Sequence, residues 1–460
     1  MCVRLADSPE APVPPMITQI SPLVPRTLAL AAALSLPIGF LISARADPAG
    51  APAAEAGGPP KSWIDPETGH RVIRITDEPN SESLYFNDNC FTPDGREMVY
   101  TTEDGGVGVL DLSTWKNRLV VKGRVRLIMV GHKTPRAFYI RMQANGSVLC
   151  ATNLDTGETQ ELATLPEGGG VSAINADETL AAGTRILSRS GMPARAFPTG
   201  NGKGYQAEDK MEMMDRRLAA RLPNEIFTLD LQTGKRSTLI QNTDWLNHLQ
   251  FSPTDPTLLM YCHEGPWWKV DRIWTIRTDG SENTLVQPRT MAMEASGHEF
   301  WSHDGKTIYY DLQTPWGTVF WVAGYNIDTK ERTWYHIERK EWSIHFNTTN
   351  DETLFCGDGS DDPPAPWANA DNRWIYLFVP DKVINGAPWP TEPWNYATAE
   401  GATLVHPGVF RAEKLVHMVR HNYLLEPNPI FTPDKKYVIF RSDMFGDAYA
   451  FAVEVAKSRP

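Results

Sequence analysis

Hydrophobic and polar residues alternate along this chain in short runs, and turn residues rather than helix caps separate them. One unit recurs: a polar residue, an aromatic, a turn such as Thr-Pro-Asp-Gly, then a run of β-branched and aromatic residues. The copies read Phe91-Thr92-Pro93-Asp94-Gly95, Phe251-Ser252-Pro253, Trp301-Ser302-His303-Asp304-Gly305, Asn347-Thr348-Thr349-Asn350-Asp351 and Phe431-Thr432-Pro433-Asp434. Weaker copies lie near Val130 to Arg141 and Val171 to Arg185, which brings the count to seven. Repeats at a fixed interval specify architecture. The pattern predicts an all-β fold, a seven-bladed β-propeller whose radial closure leaves only short edges exposed. Leu154-Asp155-Thr156-Gly157, Leu231-Gln232-Thr233-Gly234 and Ile327-Asp328-Thr329-Lys330 read as outer hairpins of blades.

Two intervals are long and read as insertions between blades. Gly200 to Leu222, with Met211, Met213, Met214, Arg216, Arg217 and Leu218, has the composition of a short helix. Gly359 to Val416, full of Pro and Trp, reads as a decorated loop, either functional or an edge cover.

The 460 residues are 41% hydrophobic and 22% charged, which suits a large core and argues against disorder. A net charge of -12 argues against a general binder of nucleic acid or anionic membrane, since both reward a basic surface. An anionic ligand must therefore meet a local cation or a metal. At the N-terminus, Arg26, the apolar run Leu28 to Ile42 and Ser43-Ala44-Arg45-Ala46 read as a signal peptide over 1–46, with Met16 an alternative start. Residues 47–60, rich in Ala, Gly and Pro, read as a disordered tether, and 61–460 as a single propeller domain, periplasmic or secreted. Beyond the leader stand Cys90, Cys150, Cys262 and Cys356, each in or beside a separate strand, and buried thiols are expected rather than disulfides.

The start of one strand and the end of its hairpin partner share a sheet edge, so the repeats map one rim. Three positions before the turn-leading aromatic stand Asp88, His248, His298 and Asn428, with His345 two before Asn347 and Glu426 two before Asn428. At the far ends of the partner strands come His263-Glu264, Asp311-Leu312-Gln313, Gly357-Asp358-Gly359 and Arg441-Ser442-Asp443. Imidazoles and carboxylates from several blades thus converge on one face, a donor set suited to Mn²⁺, Fe²⁺ or Zn²⁺. There is no GxSxG nucleophile elbow, and Gly168-Gly169-Gly170 lacks the lysine and the strand-to-helix setting of a phosphate loop. A paired-carboxylate glycosidase using Glu264, Asp311 and Asp358 stays open, because sequence does not supply their separation.

Cys262-His263-Glu264-Gly265-Pro266, Val270-Asp271-Arg272-Ile273-Trp274 and Gly297-His298-Glu299-Phe300-Trp301 together resemble the oligogalacturonate lyases, bacterial seven-bladed propeller enzymes of pectin breakdown. The likeness extends to Trp245-Leu246-Asn247-His248, the His345 strand with Gly357-Asp358-Gly359, and the Phe431-Thr432-Pro433 hairpin. The resemblance implies β-elimination on a short acidic oligosaccharide, with His263 matching the base and His298 a Mn²⁺ ligand. Arg272 and Arg441 are the expected carboxylate binders, and His248 and His345 are further substrate contacts. Family members carry a Gln and two His before the last aromatic, where this chain has Tyr423, Glu426 and Asn428. Either Glu426 and Asn428 coordinate through oxygen instead, with His421 nearby as a substitute, or the metal has been lost or the substrate has changed. The rivals are a hydrolase or lyase for another acidic sugar, and a non-catalytic propeller that binds a glycan or a protein. Trp267 and Trp268 are read either as sugar-stacking or as interblade core.

Overall fold

The computed structural model describes residues 58–144, 146–188, 190, 207–361, 372–382 and 405–458. The expected leader and all but the last three residues of the tether lie outside them. Among the described residues seven blades follow one another in six sheets, blades 5 and 6 being joined into one: blade 1 over residues 91–121, blade 2 over 126–164, blade 3 over 169–242, blade 4 over 245–285, blade 5 over 295–337, blade 6 over 346–417 and blade 7 over 430–454. The ring is closed by backbone hydrogen bonding, because Arg71–Arg74 from the N-terminal end pairs with Tyr449–Glu454, and Ser62–Ile64 adds a further edge strand. A cavity of about 260 Å³ runs down the centre, lined from every blade by Phe91, Met129, Ala173, Phe251, Trp301, Asn347 and Phe431.

Radial packing explains where the alternation of apolar and polar residues is kept and where it is lost. The second and third strands of a blade are covered on both faces by neighbouring blades, so they read as continuous apolar runs. Leu258–Glu264 is buried at every position and Asn224–Asp230 at all but the last. The outer strands Thr159–Thr164 and Arg236–Asn242 are largely exposed.

The repeated turn has a specific hydrogen-bond chemistry. Its Ser or Thr hydroxyl donates to the Asp two residues on, in Thr92–Asp94, Ser302–Asp304, Thr349–Asp351 and Thr432–Asp434, at 2.7 to 2.8 Å. The same hydroxyl accepts the N–H of the first strand residue beyond the turn, from Glu97, Thr307, Leu354 and Tyr437. The tip adopts a left-handed φ, taken by Gly95 at 68° and Gly305 at 70°. In blade 3 that position is Glu178, at 60°.

Glu178 uses the position to clamp blade 2. Its carboxylate accepts the N–H groups of Lys133 and Thr134, the Thr134 hydroxyl and the Arg136 guanidinium at 2.5 to 2.8 Å. Burial pushes this carboxyl up, but the four donors outweigh it and hold it below its usual range. Glu178→Ala should lower the free energy of unfolding by about 3 kcal/mol, measured from urea midpoints at constant m. Because the folded-state value is depressed, the contribution is complete above the unfolded Glu range and is lost as pH falls through the folded value. The gap between wild type and variant should therefore close in acid.

The first insertion contains the expected helix, Ala207–Ala220, and Arg217 on it lies 5.1 Å from the Trp245 ring. The second differs from expectation. Where it is described it is not a loop: Trp374–Lys382 and Val405–His417 are long paired strands that complete blade 6. Val405–Val409 also pairs in parallel with Arg332–His336 of blade 5, joining the outer edges of the two blades. The Pro and Trp of this interval suggest a loop, yet Pro380 and Pro407 lie within these strands. Cys90, Cys150, Cys262 and Cys356 are free, buried thiols. Among the described residues no helix is long and apolar enough to cross a membrane.

Candidate active site

The inner strands of blades 4 and 5 each carry a bulge, between Asn247 and Gln250 and between Gly297 and Phe300. His248 and His298 sit in these bulges at φ 48° and 51°, and Asn428, at the equivalent position of blade 7, is at 50°. A left-handed backbone is uncommon outside glycine and costs about 1 to 3 kcal/mol, so three at one repeat position mark a functional rim. Four imidazole–carboxylate pairs stand along that rim: His248–Glu264, His263–Asp244, His345–Asp358 and His421–Asp443, at 2.7 to 3.0 Å. Glu264, Asp358 and Asp443 are carboxylates that the repeats had placed at strand ends.

Between blades 4 and 5 lies a buried ionic cluster. Arg272, 2% exposed, donates from Nη1 to Glu264 at 2.6 Å and from Nε to Glu299 at 3.0 Å. His248 Nε2 stands 3.0 Å from the other oxygen of Glu264. Burial raises the Glu264 carboxyl, but Arg272 and His248 outweigh it and the group stays ionised well below its usual range. The Trp267 ring lies 5.7 Å from the Arg272 guanidinium and 5.0 Å from the His298 ring. It packs on the backbone of Gly297, where a Cβ would meet the indole at 3.4 to 3.6 Å.

His298 and His345 face each other with ring centroids 4.8 Å apart, edged by Phe86 at 6.5 and 4.8 Å. Asp358 fixes His345 twice, accepting its backbone N–H at 2.9 Å and pairing with Nδ1 at 2.7 Å. That leaves Nε2 aimed at the Tyr85 hydroxyl, 3.2 Å away, and at the Glu426 carboxylate, 3.8 Å away. Burial depresses the His298 imidazole well below its usual range, helped by His345, Arg272, Lys210 and His248. Among the described residues its buried Nδ1 has no hydrogen-bond partner.

This donor set fits a divalent cation. His298 offers a buried nitrogen with no partner among the described residues, His345 is oriented by a carboxylate behind it, and Glu426 adds an oxygen. Among the described residues, the one group of three such side chains whose ligand atoms all lie within 4.8 Å of one another is His248, Cys262 and Glu264. They suit a metal less well, because Arg272 already neutralises Glu264 and burial holds the Cys262 thiol well above its usual value.

His263 stands on the opposite face of its strand from Glu264, as adjacent residues must. Its ring lies against Tyr261 at 5.7 Å and Trp274 at 5.2 Å, and Asp244 holds Nδ1 at 2.8 Å. The other oxygen of Asp244 pairs with Arg221, whose side chain is 55% exposed. Among the described residues Nε2 of His263 has no partner. The strand ends at Glu264, so His263 and Glu264 both stand at its end.

Three expected roles need correction. Arg272 does not present a free fork to a substrate, since two of its donors are committed to buried carboxylates. Arg441 is likewise held, by Glu82 at 2.6 Å and the carbonyl of Glu426 at 2.7 Å. Asn428 is not positioned as a ligand: its amide accepts from the Phe86 N–H at 3.4 Å and donates to the Glu426 carbonyl at 3.0 Å, shaping the segment that carries Glu426. His421 pairs with Asp443 and packs on Tyr423, whose hydroxyl donates to the Asp358 carbonyl. Asp311 serves its own blade, accepting from Gln313 and the Trp342 indole, and burial raises it to about 7. Asp88 lines the channel, where burial likewise outweighs Arg126 and His248 and raises it to about 7. Tyr85, Asp244 and Glu299 were not foreseen. Asp244 and Tyr85 lie in connecting segments without the repeat signature, whereas Glu299 directly follows His298 in a motif already singled out.

The family pattern described as oligogalacturonate lyase matches residues 60–376 of this chain. An oligogalacturonate lyase of Dickeya dadantii is 25% identical over 418 residues, covering 86% of this chain and 96% of that protein. An oligogalacturonide lyase of Pectobacterium atrosepticum is 26% identical over 411 residues with the same coverage. Among solved structures, an oligogalacturonate lyase in complex with manganese superposes with a TM-score of 0.66 at 22% identity, over 86% of this chain and 96% of that one. One from Vibrio parahaemolyticus gives 0.67 at 23%, over 87% and 97%.

Proposed function

Since the chain belongs to the oligogalacturonate lyase family, we propose that it cleaves short oligogalacturonate-like chains by β-elimination, with His263 as the base. The observation that carries the base assignment is the His263–Asp244 pair. A carboxylate on Nδ1 fixes the tautomer that leaves the Nε2 lone pair available, and among the described residues nothing competes for it. Nε2 takes the proton from C5 of the uronate. The electron pair forms the C4–C5 double bond, and the bond from C4 to the glycosidic oxygen breaks. That oxygen leaves with a proton supplied by solvent.

The C5 proton is weakly acidic while the neighbouring carboxylate is ionised, so charge building there must be offset. A divalent cation held by His298, His345 and Glu426 would supply that charge. Around it, Asp358 keeps Nε2 of His345 pointed at the site, and Trp267 shields one side of His298 from water. The Arg272 cluster holds the Trp267 loop and the His298 bulge in register from behind. Arg221, exposed beside the base and tied to the same Asp244, replaces Arg272 as the guanidinium able to reach a uronate carboxylate.

Incubation with a panel of oligouronides plus Mn²⁺ should release one conjugated, ultraviolet-absorbing unsaturated uronate for each new reducing end. Reducing ends without that absorbance would indicate hydrolysis and overturn the elimination reading.

A further inference from the structure

The helix Ala207–Ala220 is an insertion that the reaction at His263 leaves unexplained, and it is fastened beside the reacting groups. Leu218 packs on Gly265, where a Cβ would meet its methyl carbons at 3.6 and 3.8 Å. Asp215 pairs with Lys269 at 2.7 Å, on the loop of Trp267 and Trp268. Arg217 covers the Trp245 ring at 5.1 Å, and Arg221, just past the helix, pairs with the Asp244 that orients His263. Each of these partners belongs to blade 4 or to the turn leading into it. The helix therefore lies on blade 4 next to the site.

One face of the helix makes these contacts. Met213, Met214, Arg217 and Leu218 recur at the spacing of a single helical stripe, and the first three are buried. Lys210 stands three and four residues before the two methionines, so it extends the same face by one turn. Unlike them it is exposed, and among the described residues its ammonium has no hydrogen-bond or ion-pair partner. It nevertheless acts on the site: burial first, then His345, Arg272 and Lys210, depress the His298 imidazole. The cations around it are committed. Arg272 and Arg441 are held as described, Arg289 donates to Asp271 and to the Trp268 carbonyl, and Lys269 is held by Asp215. The helix gains nothing from a cation at this place, which lies near the positive end of its backbone dipole. A compact charge on a flexible stem, with three donors, suits a carboxylate that arrives from solution.

We propose that Lys210 binds the second carboxylate of the substrate, the one on the sugar across the bond that breaks. Elimination needs a single carboxylate, on the residue that loses its C5 proton, and the His298, His345 and Glu426 donors together with Arg221 serve that group. The shortest uronide that can be cleaved, a diuronate, brings two. In a protein of net charge -12 the second carboxylate is repelled unless a free cation meets it. Lys210 is that cation, and a neutral sugar in the same place gains nothing from it. The assignment rests on the uronide-lyase reading above and makes Lys210 a determinant of specificity rather than of the chemical step.

The test compares kcat/KM, by release of unsaturated product, for digalacturonate and for galactosyl-galacturonate, in which the sugar across the scissile bond carries no carboxylate. Wild type should prefer the diuronate about tenfold. Lys210→Met keeps the length and the helix propensity but removes the charge. It should erase that preference through a higher KM for the diuronate and leave the other substrate unchanged, and Lys210→Arg should restore most of it. An unchanged preference, or an equal loss on both substrates, overturns the assignment. Calorimetric binding of digalacturonate to wild type and Lys210→Met keeps the two readings apart. Weaker binding by the variant, with no turnover by either protein, removes the lyase reading and keeps the contact, whereas equal binding removes the contact.

Discussion

His263→Ala should lower kcat for oligogalacturonate elimination by about 10³ to 10⁴-fold, because general-base catalysis by a positioned imidazole is worth that much. KM should move little, since the ring is held by Asp244, Tyr261 and Trp274 and its Nε2 gains importance as the C5 proton leaves. Added imidazole should recover part of the lost rate, filling the space between Tyr261 and Trp274. Asp244→Asn keeps the shape but removes the charge that orients Nδ1–H, and it should cost about 10 to 100-fold. His248→Ala makes the useful contrast. His248 is the other imidazole at this strand end, yet its Nε2 is engaged by Glu264, so its loss should fall well short of that at His263. Steady-state rates by product absorbance decide the matter. A His263→Ala protein that folds and keeps a tenth of wild-type turnover is incompatible with its acting as the base.

The blades were legible because their turns repeat a chemistry that sequence displays directly. A hydroxyl, an Asp two residues later and a tip residue at left-handed φ recur through Thr92, Ser302, Thr349 and Thr432. The rim was legible for a related reason: counting back from each turn reaches the same left-handed position, occupied by His248, His298 and Asn428. Counting does not reveal what those side chains meet across the gap between blades. Arg272 looked available for substrate from its place on the rim, but Glu299 reaches it from the next blade and fills the guanidinium fork. Asn428 looked like a ligand by position, but the segment from Tyr85 to Phe86 crosses under it and takes its carbonyl oxygen. His263 and Glu264 read as one motif, yet the two-residue period of a strand sends them to opposite faces and gives them different partners. The blade 6 strands were missed because Pro and Trp dominate their composition, and the pairing of an outer edge with the neighbouring blade has no local signal.

His298→Leu should abolish binding of a divalent cation and cut turnover by about 10³-fold, yet leave the metal-free protein within about 1 kcal/mol of wild-type stability. A buried nitrogen without a partner costs about 1 to 3 kcal/mol, so the metal-free fold gains when it is replaced by an apolar group. Leucine gives part of that back, because residue 298 adopts φ 51°, which a branched apolar side chain tolerates less well than histidine. The surrounding Trp267 and Phe86 rings accept an apolar side chain. Wild-type protein at a Mn²⁺ concentration a hundred times the dissociation constant should gain about 2.7 kcal/mol, seen as a rise in Tm, and the leucine variant should show no rise. Asp358→Asn provides a graded control: it keeps His345 in place but weakens the hold on Nδ1, and should reduce Mn²⁺ affinity by about 10 to 100-fold without removing the site. Elemental analysis of the purified proteins gives the direct reading. Equal metal content in wild type and His298→Leu would remove His298 from the ligand set. A large drop in stability of the metal-free variant would mean that its ring is there to fill the rim rather than to hold an ion.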